Sequence, residues 1–91
     1  MSYWVYMLRC RDGSLYTGST TDVERRCALH NAGKGAKYTR SHLPVELAYQ
    51  EQTEDWPAAL RREAAIKRMS RAQKLALIAE YANADPRKER P

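Results

Sequence analysis

Val5-Tyr6-Met7-Leu8-Arg9-Cys10-Arg11-Asp12-Gly13-Ser14-Leu15-Tyr16-Thr17-Gly18 decides how the rest of the chain is read. The apolar run from Tyr3 to Leu8 fits a strand covered on both faces. Asp12-Gly13 is a strong turn signal, and Leu15 to Ser19 is the returning strand. The length of the turn settles what the two tyrosines can do together. A two-residue Asp12-Gly13 loop sets Tyr6 opposite Ser19 and sends Tyr6 and Tyr16 to opposite faces. A three-residue loop with Gly13 left-handed sets Tyr6 opposite Gly18 and puts both rings on one face. Packing and chemistry are both open readings of such a pair, and a shared site requires the odd-length loop or a bulge of equal effect.

Downstream, Thr21-Asp22-Val23-Glu24 reads as a capping box with Thr21 as the cap, opening a helix that should stop near Gly33. Residues 33–40, GKGAKYTR, read as a basic, glycine-bearing loop. After Pro44 the alternation of Val45, Leu47 and Tyr49 predicts a third, half-buried strand. Thr53 or Asp55 caps a helix with Pro57 in its first turn, running to about Met69. Ser70-Arg71-Ala72-Gln73 is a second capping box, before a helix with Leu75, Ile78 and Tyr81 on one side. This order describes a small α+β layer structure around an antiparallel sheet. Residues 1–82 form the domain, and the charged, proline-flanked tail 83–91 is expected to be disordered.

The 91 residues carry 16 Lys and Arg against 11 Asp and Glu, a formal net charge of +5. That balance favours a polyanionic partner, nucleic acid first and an anionic membrane surface second. No apolar run approaches the ~18 residues of a membrane span, and no secretory signal is visible, so a soluble cytoplasmic protein is expected. Cys10 and Cys27 are too few for a disulfide scaffold and read as reduced, semi-buried small hydrophobes. Cys10, Cys27, His30 and His42 lack the spacing of a zinc finger or ribbon.

The informative polar residues are those on apolar stripes. At 100° per residue, Val23, Arg26, Cys27 and His30 share one arc of the first helix, so Arg26 and His30 belong to the face that meets the sheet. Arg25 points elsewhere. On the helix after Pro57, Leu60, Ala64, Ala59 and Ile66 spread over an arc centred almost at Glu63. A carboxylate there faces inward and needs a cationic partner such as Arg26 or Lys67, a metal ion, or a proton of its own.

Val5-Tyr6 and Tyr16-Thr17-Gly18, followed by Arg26, His30 and Glu63 in this order and spacing, resemble the GIY-YIG nuclease domain, over roughly Tyr3 to Leu77. The similarity is to small stand-alone bacterial members. It implies a small αβ sandwich with a central three-stranded antiparallel sheet flanked by helices, and metal-dependent cleavage of phosphodiesters in nucleic acid. By position it implies catalytic roles for Tyr6, Tyr16, Arg26, His30 and Glu63. Glu63 would hold the divalent ion, Mg²⁺ or Mn²⁺, and Gly18 would allow close backbone approach. No small-molecule cofactor is implied.

The implied residue types match the chemistry, which needs an activated water, neutralised charge on the phosphorane-like transition state and a stabilised leaving oxygen. Glu63 suits a hard cation completed by water, and Arg26 offers a permanent multi-donor charge. Tyr6 would help deprotonate water, with His30 or Tyr16 assisting. Either Arg26 and the metal must lower its pKa from about 10, or it relays to a stronger base. Trp4 replaces the usual glycine of the first motif, Val5 and Thr17 replace isoleucine, and the late asparagine of many members has no equivalent, Asn83 lying near the tail. Nucleic-acid contacts fall to Lys34, Lys37, Arg40, Arg61, Arg62 and Lys67. A metal-dependent endonuclease acting on DNA before RNA, structure- or strand-selective and working in repair or recombination, is the leading expectation. The alternatives are a noncatalytic nucleic-acid-binding module and a small protein-interaction domain.

Overall fold

The computed structural model describes residues 1–84; the expected tail lies outside the described residues from 85 onward. Its elements are β1 (Tyr3–Arg9), β2 (Leu15–Thr20), α1 (Val23–Asn31), α2 (Lys37–Arg40), β3 (Glu46–Thr53), α3 (Trp56–Lys67) and α4 (Arg71–Ala84). The expected domain end at 82 falls inside α4. The three strands form one antiparallel sheet in the order β2-β1-β3, and helices cover both faces, an α+β sandwich.

β1 is central and apolar, and Val5, Tyr6, Met7 and Leu8 are each at most 1% exposed. Its alternate residues enter two separate cores. Val5 and Met7 pack with Ala59 and Ile66 of α3 and Ile78 of α4. Tyr6 and Leu8 pack with Val23 and Cys27 of α1. Burying a side chain such as Ile66, fully enclosed here, contributes about 1.5–3 kcal/mol.

The β1–β2 turn has the odd length. Cys10 N donates to Ser14 O at 2.8 Å and Gly13 N to Cys10 O at 2.9 Å, leaving Arg11, Asp12 and Gly13 as the loop, with Gly13 at φ +88°. Tyr6 therefore stands opposite Gly18, and the rings of Tyr6 and Tyr16 meet at 6.4 Å on the α1 face.

Several local expectations are corrected. The cap of α1 is Asp22, not Thr21: the Asp22 carboxylate accepts from Arg25 N at 3.0 Å, and Thr20 Oγ1 accepts from Asp22 N. α1 stops as expected, because Lys34 N reaches Leu29 O and Gly33 N reaches His30 O, with Gly33 at φ +78°. The segment expected to be a loop contains the helical turn α2. The β3 alternation is broken by a register shift: Met7 pairs with Tyr49 but Leu8 with Leu47, so Val45 and Leu47 join the α1-side core while Tyr49 joins the other.

Asp55 caps α3 through Ala58 N at 2.8 Å, and the Ser70–Gln73 box closes reciprocally at 2.9 and 3.2 Å. On α4, Leu77 packs with Ile78 and Tyr81, and Leu75 is exposed. On α3 the buried seam is Ala59 and Ile66, whereas Leu60 and Ala64 face outward. Glu63 and Arg62 thus occupy opposite flanks of the seam. Arg62 bends to Glu51 of β3 at 3.0 Å, and Glu63 to Ser19 of β2.

None of the described residues crowds a Cβ at Gly13, where the backbone angle is what demands glycine. Gly13→Ala is expected to destabilise by about 1–2 kcal/mol, with Gly13→Asn losing less because asparagine tolerates the left-handed region. Urea midpoints of the two variants check the order.

Candidate active site

The site is built at the β2 edge of the sheet. Tyr6 comes from the central strand, Tyr16 from β2, and Arg26 and His30 from successive turns of α1, on one face. Glu63 comes from α3, on the opposite face. The shared site is not confined to one face of the sheet: Glu63 reaches β2 through Ser19, which pairs with Val5, whose side chain lies in the α3-side core. The two sets act on each other around the edge through charge, Glu63 raising the Tyr6 phenol and Tyr16 raising Lys67.

The centre of the site is a buried chain of three side chains. Tyr6 hydroxyl and His30 Nε2 are 3.0 Å apart, His30 Nδ1 and Thr39 Oγ1 are 2.8 Å apart, and Thr39 donates to Ala36 O at 2.9 Å. Tyr16 lies edge-on to the His30 ring at 5.2 Å. Two glycines make room. A Cβ on Gly18 would stand 2.6 Å from the Tyr6 hydroxyl, and one on Gly35 would run into His30 Nδ1. Neither glycine has positive φ, so the need is for space.

Electrostatics keep this chain neutral. Burial pushes the Tyr6 phenol up to about 12, despite the lowering pull of the Arg26 guanidinium; Tyr16 and Glu63 add to the rise. Arg26 by itself therefore does not bring the phenol toward neutrality. Burial, and then the charge of Arg26, hold His30 below the usual histidine range. Arg26 is half-buried and makes no ion pair with a carboxylate among the described residues.

Glu63 accepts from Ser19 Oγ on one oxygen and pairs with Lys67 Nζ at 2.8 Å on the other. Among the described residues no three His, Cys, Asp or Glu side chains cluster as a metal cage. One carboxylate with an adjacent hydroxyl, its side chain 19% exposed, still fits a hard cation that keeps most of its waters. Lys67 would then have to yield Oε2.

Of the expected nucleic-acid contacts, Lys34, Lys37 and Arg40 are exposed on the α1–α2 connector and α2, the segment that wraps His30. Arg61 and Lys67 are also exposed. Arg62 is not free, since it holds Glu51, which also accepts from Tyr49. Sequence reasoning passed over Ser19, Gly35 and Thr39. Gly35 had a visible signal, the second glycine of GKG with no turn to explain it; Ser19 and Thr39 are ordinary strand and loop residues until their partners are placed.

These features coincide with comparisons to known proteins. Residues 2–76 match the GIY-YIG catalytic domain model, and the chain belongs to the GIY-YIG family. It is similar to proteins named UPF0213: one from Staphylococcus haemolyticus is 56% identical over 86% of this chain and 95% of its own. One from Halobacterium salinarum is 58% identical over 81% and 96%. The solution NMR structure of a UPF0213 protein from Bacillus halodurans superposes with TM-score 0.59 at 42% identity, covering 97% of this chain and 92% of that one. The solution NMR structure of a protein from E. faecalis gives 0.62 at 40% identity, covering 93% of this chain and 91% of that one. Membership implies a nuclease-type hydrolase with a nucleic-acid substrate, in a family that generally uses divalent metal ions.

The lowered pKa of His30 has a consequence for stability. On acidification the unfolded chain binds this proton first, so the contribution is complete above about pH 6.5 and is lost as pH falls through the folded value. Wild type is expected to lose more stability than His30→Gln between pH 7.5 and 5.0, read from urea midpoints at both values.

Proposed function

We propose that this protein is a divalent-metal-dependent endonuclease that hydrolyses phosphodiester bonds in DNA, selecting by structure or strand, in repair or recombination. The observation that carries the reading is the buried hydrogen bond between Tyr6 and a neutral His30, beside an Arg26 that no carboxylate among the described residues neutralises. A phenol held near 12 is a poor base by itself, but it is a good relay. As water attacks phosphorus, its proton passes to the Tyr6 oxygen while the Tyr6 proton passes to His30 Nε2. No free tyrosinate forms, and the imidazole ends as the acid.

Arg26 donates to the non-bridging phosphate oxygens, where negative charge grows in the transition state. Tyr16, edge-on to His30, walls the relay against bulk water. Glu63 would hold a Mg²⁺ or Mn²⁺ ion, which when bound supplies Lewis-acid charge to the phosphate and leaving oxygens. Ser19 orients the carboxylate from below. Lys34, Lys37 and Arg40 stand on the segment that encloses His30, so a phosphate backbone tracking them passes beside the relay. Arg61 and Lys67 extend the basic surface along α3.

One observation favours the noncatalytic alternative: both oxygens of Glu63 already have protein partners. The two readings part on metal-dependent turnover. With labelled single-stranded, duplex, flapped and branched DNA and with RNA, Mg²⁺- or Mn²⁺-dependent cleavage is expected, abolished by EDTA. Glu63→Ala and Arg26→Ala are each expected to lower the rate at least about 10²-fold while retaining salt-sensitive binding. Wild-type binding without cleavage of any substrate, or equal cleavage by these variants, overturns the proposal.

A further inference from the structure

Thr39 lies on α2, far from β2 and β1 in sequence, yet its hydroxyl is 2.8 Å from His30 Nδ1, and both residues are 0% exposed. We propose that Thr39 is a positioning residue, which fixes His30 in the tautomer with its proton on Nδ1 and so leaves the Nε2 lone pair for the Tyr6 hydroxyl. This rests on reading Tyr6 and His30 as the proton relay.

The assignment follows from counting protons. A threonine hydroxyl carries one hydrogen, and the Ala36 carbonyl 2.9 Å away can only accept, so that hydrogen points to Ala36. Toward His30, Thr39 must then accept, which puts a proton on Nδ1. A neutral imidazole has only one N–H, so Nε2 is a bare acceptor and Tyr6 is the donor. The other tautomer would turn the Thr39 hydrogen to Nδ1 and give up its bond to Ala36 O in a site closed to solvent. It would also leave the Tyr6 proton without its acceptor.

The surrounding backbone holds the ring and Thr39 in place. The two hydrogen bonds ending α1 fold the connector back over His30, and Gly35 lies against the ring where any Cβ would collide. Ala36 O also accepts from Arg40 N at 3.2 Å, so the carbonyl that orients Thr39 is itself held by the first turn of α2. The turn that bears Lys37 and Arg40 outward is therefore the turn that sets the imidazole inward.

Long-range ¹H–¹⁵N correlation spectra of the labelled protein near pH 7.5 test this directly. Wild type is expected to show His30 protonated at Nδ1 alone. Thr39→Ser should preserve that pattern. Thr39→Val, of similar volume but with no acceptor, should lose it and lower kcat about 10- to 100-fold with KM unchanged. Nε2–H in the wild type overturns the proposal without recourse to a variant, as does an unchanged tautomer in a folded Thr39→Val. If the tautomer responds as expected while no form cleaves nucleic acid, Thr39 keeps its assignment and the nuclease reading fails.

Discussion

Tyr6 lies opposite Gly18, and most of the site depends on that pairing. The chain reverses through three residues, one of them left-handed at Gly13, and an odd loop is what puts Tyr6 and Tyr16 on the same side of the sheet. It also places a bare Cα under the Tyr6 hydroxyl. A shift by one residue would send Tyr16 into the α3-side core and put Ser19 opposite Tyr6. The helix cap at Asp22, two residues beyond β2, then carries α1 back over the face that bears both rings.

From this register the buried polar chain becomes affordable in physical terms. Three hydroxyl and imidazole groups sit in a low-dielectric interior, where an unpartnered one would cost about 1–3 kcal/mol. None is left unpartnered among the described residues. Neutrality is the condition: burial raises the phenol and lowers the imidazole, so neither ionises near pH 7. The permanent charges stay at the rim, Arg26 on one side of the β2 edge and the Glu63–Lys67 pair on the other. A neutral relay inside and opposite charges outside form a division suited to moving a proton next to a phosphate.

Much of this was legible in the sequence. Arg26 and His30 sat four residues apart on an apolar arc, and the GIY-YIG order linked them to the tyrosines and Glu63. The α+β order of elements and the second capping box were read directly. Other features were not legible because they depend on tertiary partners. The β3 bulge leaves no mark on the alternation of Val45, Leu47 and Tyr49; it appears only when β1 is laid beside them. Glu63 was placed at the centre of its arc because Leu60 and Ala64 were assumed buried, and their exposure moves it to the flank that reaches β2. Arg62 looked like free surface charge until Glu51 was placed beneath it. Thr39 carries no chemistry until the connector folds over His30.

The central claim is that Tyr6 and His30 act as one unit, and a double-mutant cycle on the cleavage rate tests it most directly. Groups that work as a relay lose their function once, so Tyr6→Phe with His30→Gln should be no slower than the worse single variant, within about 3-fold. Losses that multiply, as for two independent groups, would contradict the account.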